Sequence, residues 1–277
     1  MSTTLTPVSQ IGKVLLGITR ELEAYSGITP SYDIQSTLNA KYNTFASLLP
    51  TSLPTVGYFG IGIGGSYNVS NLNLQEPYPV LQTNMDLYQP IPFRCVPVLQ
   101  DLTAAERAAY RMRVRRTING SDYFCYYLKV VTFDQSTVSI TETNPTTGVL
   151  SPYVLDYSNL NPTPPAVSST GTVTTASTEI NVSITSTLPV TGAEVTESIN
   201  VLYNGDLRYA TISEIGLYSG QDQTVTGLDG SGNNISYLEA VLAQLNIQYT
   251  WNGDDFSNPT KTSNYNIANG SGDLLLV

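Results

Sequence analysis

The chain has 277 residues, 41% of them hydrophobic, enough for two domains or one large β domain with a real core. Its net charge is -10 and its pI about 4.3, which argues against a general nucleic-acid binder, whose Lys and Arg must track phosphates, and against an anionic membrane as partner. It has no histidine and two cysteines, which excludes Ser-His-Asp and Cys-His catalysis, His-ligated zinc and a Cys-only zinc site.

Charged residues make up 12% of the chain, about half the usual globular share. Thr, Ser, Asn, Gly and 19 tyrosines fill the difference. Such a surface suits self-association, because few charges must lose their water when it is covered. The start, MSTTLTPVSQ, lacks the basic and apolar regions of a signal peptide. No run reaches the ~18 apolar residues of a membrane span. The expectation is a soluble chain made in the cytoplasm. Cys95 and Cys125 can pair or remain buried thiols.

In chain order, Val8, Ile11, Leu15, Ile18 and Leu22 recur at helical spacing and predict an amphipathic helix over 8–25. Gly12 and Gly17 each cost it about 1 kcal/mol against Ala unless another backbone comes close. The helix packs on its own domain or on a neighbouring subunit. Residues 31–49 predict a weaker helix or an irregular arm, so 1–55 reads as an N-terminal helical arm. Gly60, Gly62 and Gly65 formally satisfy G-x-G-x-x-G, but no helix follows. A glycine-stripped strand face approached by another backbone is the better reading. Proline-rich 66–100 reads as an arm or short edge strands, with strands possible at 85–88 and 93–99.

Thr103 and Glu106 form a capping-box pattern. Residues 112–118 and 123–133 then make a hairpin around Asn119-Gly120, a type I′ signal. Arg94, Arg107, Arg111, Arg113, Arg115, Arg116 and Lys129 cluster here. They form either a docking face for an acidic partner or pairs with Glu106, Asp122 and Asp134. Strands follow at 138–143 and 149–157, completing a β domain over 56–157. Residues 158–171 (SNLNPTPPAVSSTG) read as a linker.

A C-terminal β domain spans 172–251. In it Ile180, Val182 and Ile184 face one way and Asn181, Ser183 and Thr185 the other. Residues 195–203 and 207–218 predict a hairpin around Asn204-Gly205, with a turn at 220–223 and a loop at 229–234. Residues 235–251 fit both helix and strand, and strand is favoured. The tail 252–277 reads as a flexible arm tipped by Leu274, Leu275 and Leu276. The expected class is mainly β (α+β), with β-sandwich-like strands and hairpins and an N-terminal helical arm.

The carboxylate clusters are Asp254-Asp255, Glu194 with Glu197, and Asp229. None has EF-hand spacing. Tyrosine-rich strands could form a sugar platform, though such tyrosines more often line interfaces and sheets. Ser213-Glu-Ile-Gly-Leu-Tyr218 resembles a segment of bacteriophage tail-collar fibre and baseplate-type virion proteins. Residues 97–113, the Tyr-rich return strand and 158–165 resemble tail structural proteins of large-tailed phages. The resemblance is patchy. It implies a non-enzymatic, multicopy virion component in tail, baseplate or neck, made in the host cytoplasm, and it transfers no catalytic residue. The expected partners are copies of the chain and other virion proteins, with no cofactor and no small-molecule substrate. Expected contacts are Arg107, Arg111, Arg113, Arg115, Arg116 and the terminal leucines. The alternatives are a neck or collar protein and a tail-fibre part that binds host glycan or receptor. Glu214 reads as a hydrogen-bonding residue, with Arg208 as one partner considered.

Overall fold

The computed structural model describes residues 9–27, 34–45, 48, 54–69, 74–144, 147–154, 163–164, 169–170 and 177–276. In chain order these form β1 (Ser9–Lys13), α1 (Leu15–Tyr25), α2 (Leu38–Tyr42), β2 (Thr55–Gly62), β3 (Ser66–Val69), β4 (Leu74–Pro77), β5 (Pro90–Ile91) and β6 (Arg94–Pro97). Next come α3 (Ala104–Arg107), β7 (Tyr110–Ile118), β8 (Ser121–Val130), β9 (Val138–Thr143), β10 (Leu150–Pro152) and β11 (Ser177–Thr191). α4 (Gly192–Leu202), β12 (Thr211–Leu228), β13 (Asn234–Asp255) and β14 (Thr262–Leu276) complete the chain. The protein is mainly β, as its strand-rich sequence predicts.

Two compact units emerge, and neither is one stretch of chain. The first comprises residues 1–131 and 189–264, the second 132–188 and 265–277. The sequence division into 56–157 and 172–251 does not separate them, because β2 pairs with β12 inside the first unit. The proposed linker 158–171 lies almost wholly outside the described residues.

The first unit holds an antiparallel sheet in the order β1-β13-β12-β2-β8-β6, with β5 on β2 and β7 on β8. β12 and β13 form its long central hairpin, turning at Asp229, where Asn233 and Ser231 donate their backbone N–H groups to the Asp229 carboxylate. The turn expected at 220–223 is instead the interior of β12. The β7–β8 hairpin forms as expected, with Asn119 and Gly120 at φ 51° and 79°. The Thr103–Glu106 capping box also forms.

Two elements differ from expectation. Residues 195–203, expected as a strand, belong to α4. Its signal is a second capping box: Thr191 accepts from the Glu194 backbone N–H at 3.2 Å while Glu194 accepts from Thr191 at 3.0 Å. Asn204-Gly205 therefore ends a helix rather than turning a hairpin. The helix expected over 8–25 is half strand: 9–13 pair as β1 with β13, and only 15–25 are helical.

α1 rests on β13 through its Gly17 and Arg20 face. A Cβ on Gly17 would lie 2.5 Å from the Asn246 carbonyl oxygen, so this glycine is where two backbones meet. Arg20 is buried and donates to Gln244 at 3.0 Å. Leu15 and Leu22, two residues of the expected apolar stripe, are 51% and 62% exposed. The helix thus docks on its own unit through Gly17, Arg20 and the partly buried Leu16, while Leu15 and Leu22 face out.

The face of β13 that receives this segment is polar and buried, carrying Gln244, Asn246, Gln248 and Thr250. Each has a partner: Gln244 with Ser36, Asn246 with the Ser219 N–H, Gln248 with Asn84, and Thr250 with the Tyr78 carbonyl. Just before this face the strand bulges at Leu242, whose φ is 55°. Fully buried Asn39 of α2 fills the break. It donates to the Ala240 carbonyl at 2.9 Å and accepts from the Ala243 N–H at 3.0 Å.

The second unit contains one antiparallel sheet, β10-β9-β11-β14. Val182 pairs with Ile140, Ile184 with Val138 and Ile180 with Glu142. Directly opposed residues share a face, so Val138, Ile140, Ile180, Val182 and Ile184 line one side. Ser139, Thr141, Asn181 and Ser183 line the other, with Ser139 and Ser183 bonded at 3.0 Å. The alternation read in 180–185 is therefore real. Of the tail expected as a flexible arm over 252–277, residues 252–255 end β13 and 262–276 form β14, paired with β11.

Candidate functional site

Most of the basic cluster is turned inward. Arg111 grips Asp222 with two hydrogen bonds of 2.7 and 2.8 Å, and the Tyr58 hydroxyl donates to the same carboxylate at 2.7 Å. Arg113 donates to Asp101 at 2.7 Å and to the Leu228 carbonyl at 3.0 Å, with its guanidinium 3.4 Å from the Phe124 ring centre. Asp101 also accepts from Arg107 at 3.2 Å and from Tyr126 at 2.6 Å. Lys129 pairs with Glu194 at 2.7 Å, and Arg94 with Glu197 at 3.0 Å.

The docking-face reading is corrected for Arg111 and Arg113, which are 4% and 7% exposed and already paired. Arg107 is largely covered as well. Arg107 and Arg113 share Asp101, 6 and 12 residues back along the chain, while Arg111, Lys129 and Arg94 reach to the distant residues 222, 194 and 197. Of the acids expected as partners, Asp122 takes Arg115, Glu106 caps α3 and Asp134 caps a turn at Ser136. Arg115 and Arg116 remain exposed near the hairpin tip. Arg116 lies over the Tyr42 and Tyr127 rings, themselves stacked at 4.5 Å. Leu274, Leu275 and Leu276 lie at the end of β14, and their side chains fall outside the described residues.

Burial pushes the Glu194 carboxyl up, but Lys129, Tyr110 and the Thr191 N–H outweigh it, and the group ends below its usual range. Asp222 is lowered in the same way by Arg111 and Tyr58 against its burial. Among the described residues, two fully buried carboxylates have no cation in direct contact. Glu239, fully buried, accepts the backbone N–H groups of Met112, Arg113 and Ala240. Met112 sits at φ 56°, which turns two successive N–H groups toward it. Glu214, also fully buried, accepts from Gly64 (3.2 Å), Tyr88 (2.9 Å), Gln89 (2.7 Å) and the Gln248 side chain (3.1 Å). Burial leaves both carboxyls raised, because the N–H groups offset only part of it.

Glu214 explains the glycine run. A Cβ on Gly62 would sit 2.5 Å from a Glu214 oxygen, and one on Gly65 2.1 Å from the Ser213 carbonyl oxygen. Gly62 and Gly65 of the pattern that formally matches a dinucleotide loop wall a carboxylate cradle, Gly60 lies against Tyr218, and β3 follows where that loop needs a helix. Arg208, weighed as the Glu214 partner, pairs with Asp206 at 2.6 Å. Ser213–Tyr218 thus occupies the middle of β12, between β2 and β13. Tyr218, buried there, donates to Asp86 at 2.6 Å.

The remaining carboxylate clusters are also engaged in the fold. Asp255 accepts from the Ser257 N–H and hydroxyl, and Lys261 lies 3.7 Å from Asp254. Among the described residues no group of three His, Cys, Asp or Glu side chains is placed to hold a metal. No helix among them is long and apolar enough to cross a membrane.

What the surface offers is apolar and aromatic. In the second unit Val138 and Val182 are 43% and 45% exposed, Ile140 and Ile184 are half-buried, and Ile180 alone is buried. Glu142, on the same side, is bonded to Ser151. In the first unit Leu15 and Leu22 face out from α1. The rings of Tyr67, Tyr78 and Tyr88 follow one another at 4.8 and 5.6 Å, all at least partly in solvent. The tyrosine run was not singled out from sequence as surface, and for α1 the apolar spacing left open whether its stripe packs on its own unit or on a neighbouring subunit. No curated protein and no solved structure matches the chain. Residues 2–276 match a family of unknown function, DUF7208, and the chain belongs to that family.

Proposed function

We propose that the chain is a non-enzymatic structural component of a phage virion, packing against copies of itself and other virion proteins in the tail baseplate. The observation that carries the assembly reading is the open aliphatic face of the second unit. A sheet is stable when its apolar face is covered by a second layer. Here Val138, Ile140, Val182 and Ile184 stand on a single sheet with two of them nearly half in solvent. The same face on a second copy is a suitable cover: it is aliphatic, and Glu142, the one carboxylate on it among the described residues, is held by Ser151. The outward leucines of α1 and the tyrosine run give further contacts for other partners. The phage assignment itself rests on the resemblance of Ser213–Tyr218 and residues 97–113 to tail proteins. Neck or collar placement fits the same surfaces.

Light scattering on the purified full chain tests the assembly reading. The wild type should form a defined oligomer in the micromolar range, and Val182→Asp should be monomeric with an unchanged far-UV spectrum. A wild type that stays monomeric at hundreds of micromolar overturns self-assembly through this face. Electron microscopy of a particle carrying the protein places it in baseplate, neck or fibre.

A second reading, glycan or receptor binding in a tail fibre, has one observation in its favour. Asn68, Gln75, Gln89, Arg208 and Tyr209 line an open cleft of about 350 Å³. Planar amides beside an aromatic ring suit sugar hydroxyls. Glycan-array binding that is lost in Tyr209→Ala would favour it.

A further inference from the structure

We propose that Cys95 and Cys125 are a modification site: they close an intramolecular disulfide that staples β6 to β8. The two residues are directly opposed in the antiparallel register. The Cys95 N–H donates to the Glu197 carboxylate at 3.0 Å, so it takes no part in the β6–β8 ladder. The pair is therefore a non-hydrogen-bonded one. In such pairs the Cα atoms stand about 4.5 Å apart with side chains on the same face, within the range that disulfides span. Both side chains are buried and the sulfurs face each other at 2.6 Å. No backbone movement is needed to bond them. β6 has four residues and ends the strand order, so a covalent tie would hold the outermost rung of the sheet.

The oxidant is a small-molecule disulfide such as oxidised glutathione. A local opening of the short strand β6 brings one protein thiol to solvent, where it loses its proton and attacks a glutathione sulfur. The glutathione S–S bond breaks and one glutathione thiolate leaves. The second protein thiol, deprotonated in turn, attacks the mixed disulfide at the protein sulfur and releases the other glutathione. Two protein thiols are oxidised and one glutathione disulfide is reduced to two thiols.

The structure makes a quantitative claim. A disulfide that fits the native sheet is favoured by folding as much as it favours folding. Oxidation of the folded chain should therefore exceed that of the unfolded chain by roughly a hundredfold or more in equilibrium constant, for a loop of this size. The full chain is equilibrated in graded mixtures of reduced and oxidised glutathione, with and without 8 M urea. Each mixture is approached from the reduced and from the oxidised protein until the two agree. After acid quenching, denaturation and alkylation, mass spectrometry counts free thiols and maps the linked peptides. The expected result is a Cys95–Cys125 peptide pair, two hydrogens lighter than the sum of its parts, formed at far more reducing mixtures without urea than with it. Cys125→Ser should stop at the glutathione adduct. If the folded chain is no more readily oxidised than the unfolded one, or holds two free thiols where the unfolded chain is already linked, the proposal fails.

Discussion

The seam beneath the N-terminal segment and the sheet of the second unit invert the usual arrangement. In the seam, Gln244, Asn246, Gln248 and Thr250 are buried, with Arg20 and Asn39 pressed on the strand. On the second sheet, valines and isoleucines are left partly in water. The difference teaches what each surface is for. A buried polar face fixes one docking geometry, because every misplacement orphans a donor or acceptor at about 1–3 kcal/mol. An apolar face tolerates many partners' shapes and gains from whatever covers it, about 25 cal/mol per Å². The interior polar groups hold this chain to itself, and the exterior apolar ones are free for something else.

The sharpest break on the interior side is the ion pair of Lys129 with Glu194. Glu194→Gln leaves a largely buried ammonium without its charge partner and should cost about 3–5 kcal/mol, read by urea denaturation at pH 7. It should also flatten the acid limb. The folded Glu194 carboxyl lies below its ordinary 4.5, so its contribution is complete above that value. It is lost as pH falls through the depressed folded value. Wild type and variant should therefore converge in stability as the pH falls below 4.5 and through the depressed folded value. Parallel curves would mean the pair contributes nothing through charge.

Asn39→Ala comes next. It removes the side chain that fills the Leu242 bulge and leaves the Ala240 carbonyl and Ala243 N–H unpaired. A loss of about 2–4 kcal/mol is expected. Asn39→Asp should recover little, because a carboxylate cannot donate to that carbonyl. Urea denaturation of the three proteins settles the order.

How much of this was legible beforehand follows from range. The capping box at Thr103–Glu106, the Asn119-Gly120 turn and the alternation of 180–185 are local signals, and each appears where the residues place it. The Thr191–Glu194 box was as plain, but 195–203 were read as one arm of a hairpin around Asn204-Gly205, and helix α4 was missed. Arg111 and Arg113 show the limit of local charge reading. Their partners Asp222 and Asp101 are 111 and 12 residues away, and Glu106, the nearer acid, is spent on its own helix. Glu214 was rightly taken as a hydrogen-bonding residue, yet its four donors come from residues 64, 88, 89 and 248, which only the folded sheet assembles. Ser213–Tyr218 contains this carboxylate and the buried Tyr218, so both residues are engaged in holding the sheet.

Gly17→Ala weighs two opposed effects. Helix propensity favours Ala by about 1 kcal/mol. The new Cβ would meet the Asn246 carbonyl oxygen at 2.5 Å, and forcing strand and helix apart costs about 1–3 kcal/mol. The contact should win, with a net loss of about 1–2 kcal/mol in chemical denaturation. A stabilised variant would show that α1 can slide on β13, and that the polar seam does not fix its position.

The smallest effect on stability is expected where the surface is apolar. Val182→Asp places a charge on a residue already 45% exposed, so the isolated chain should change by no more than about 0.5 kcal/mol. In an assembled pair of copies the same carboxylate would be buried against the partner's Val182 or its neighbours, without a cation to meet it. Its desolvation would then oppose association directly. The two readouts must therefore part company: urea denaturation of the monomer stays where it was, while light scattering loses the oligomer. If denaturation and association fall together, the aliphatic face is part of the chain's own core and the contrast between the two surfaces disappears. Thr141→Asp, on the opposite face of the same sheet, should leave both readouts unchanged, which separates an effect of the face from an effect of added charge.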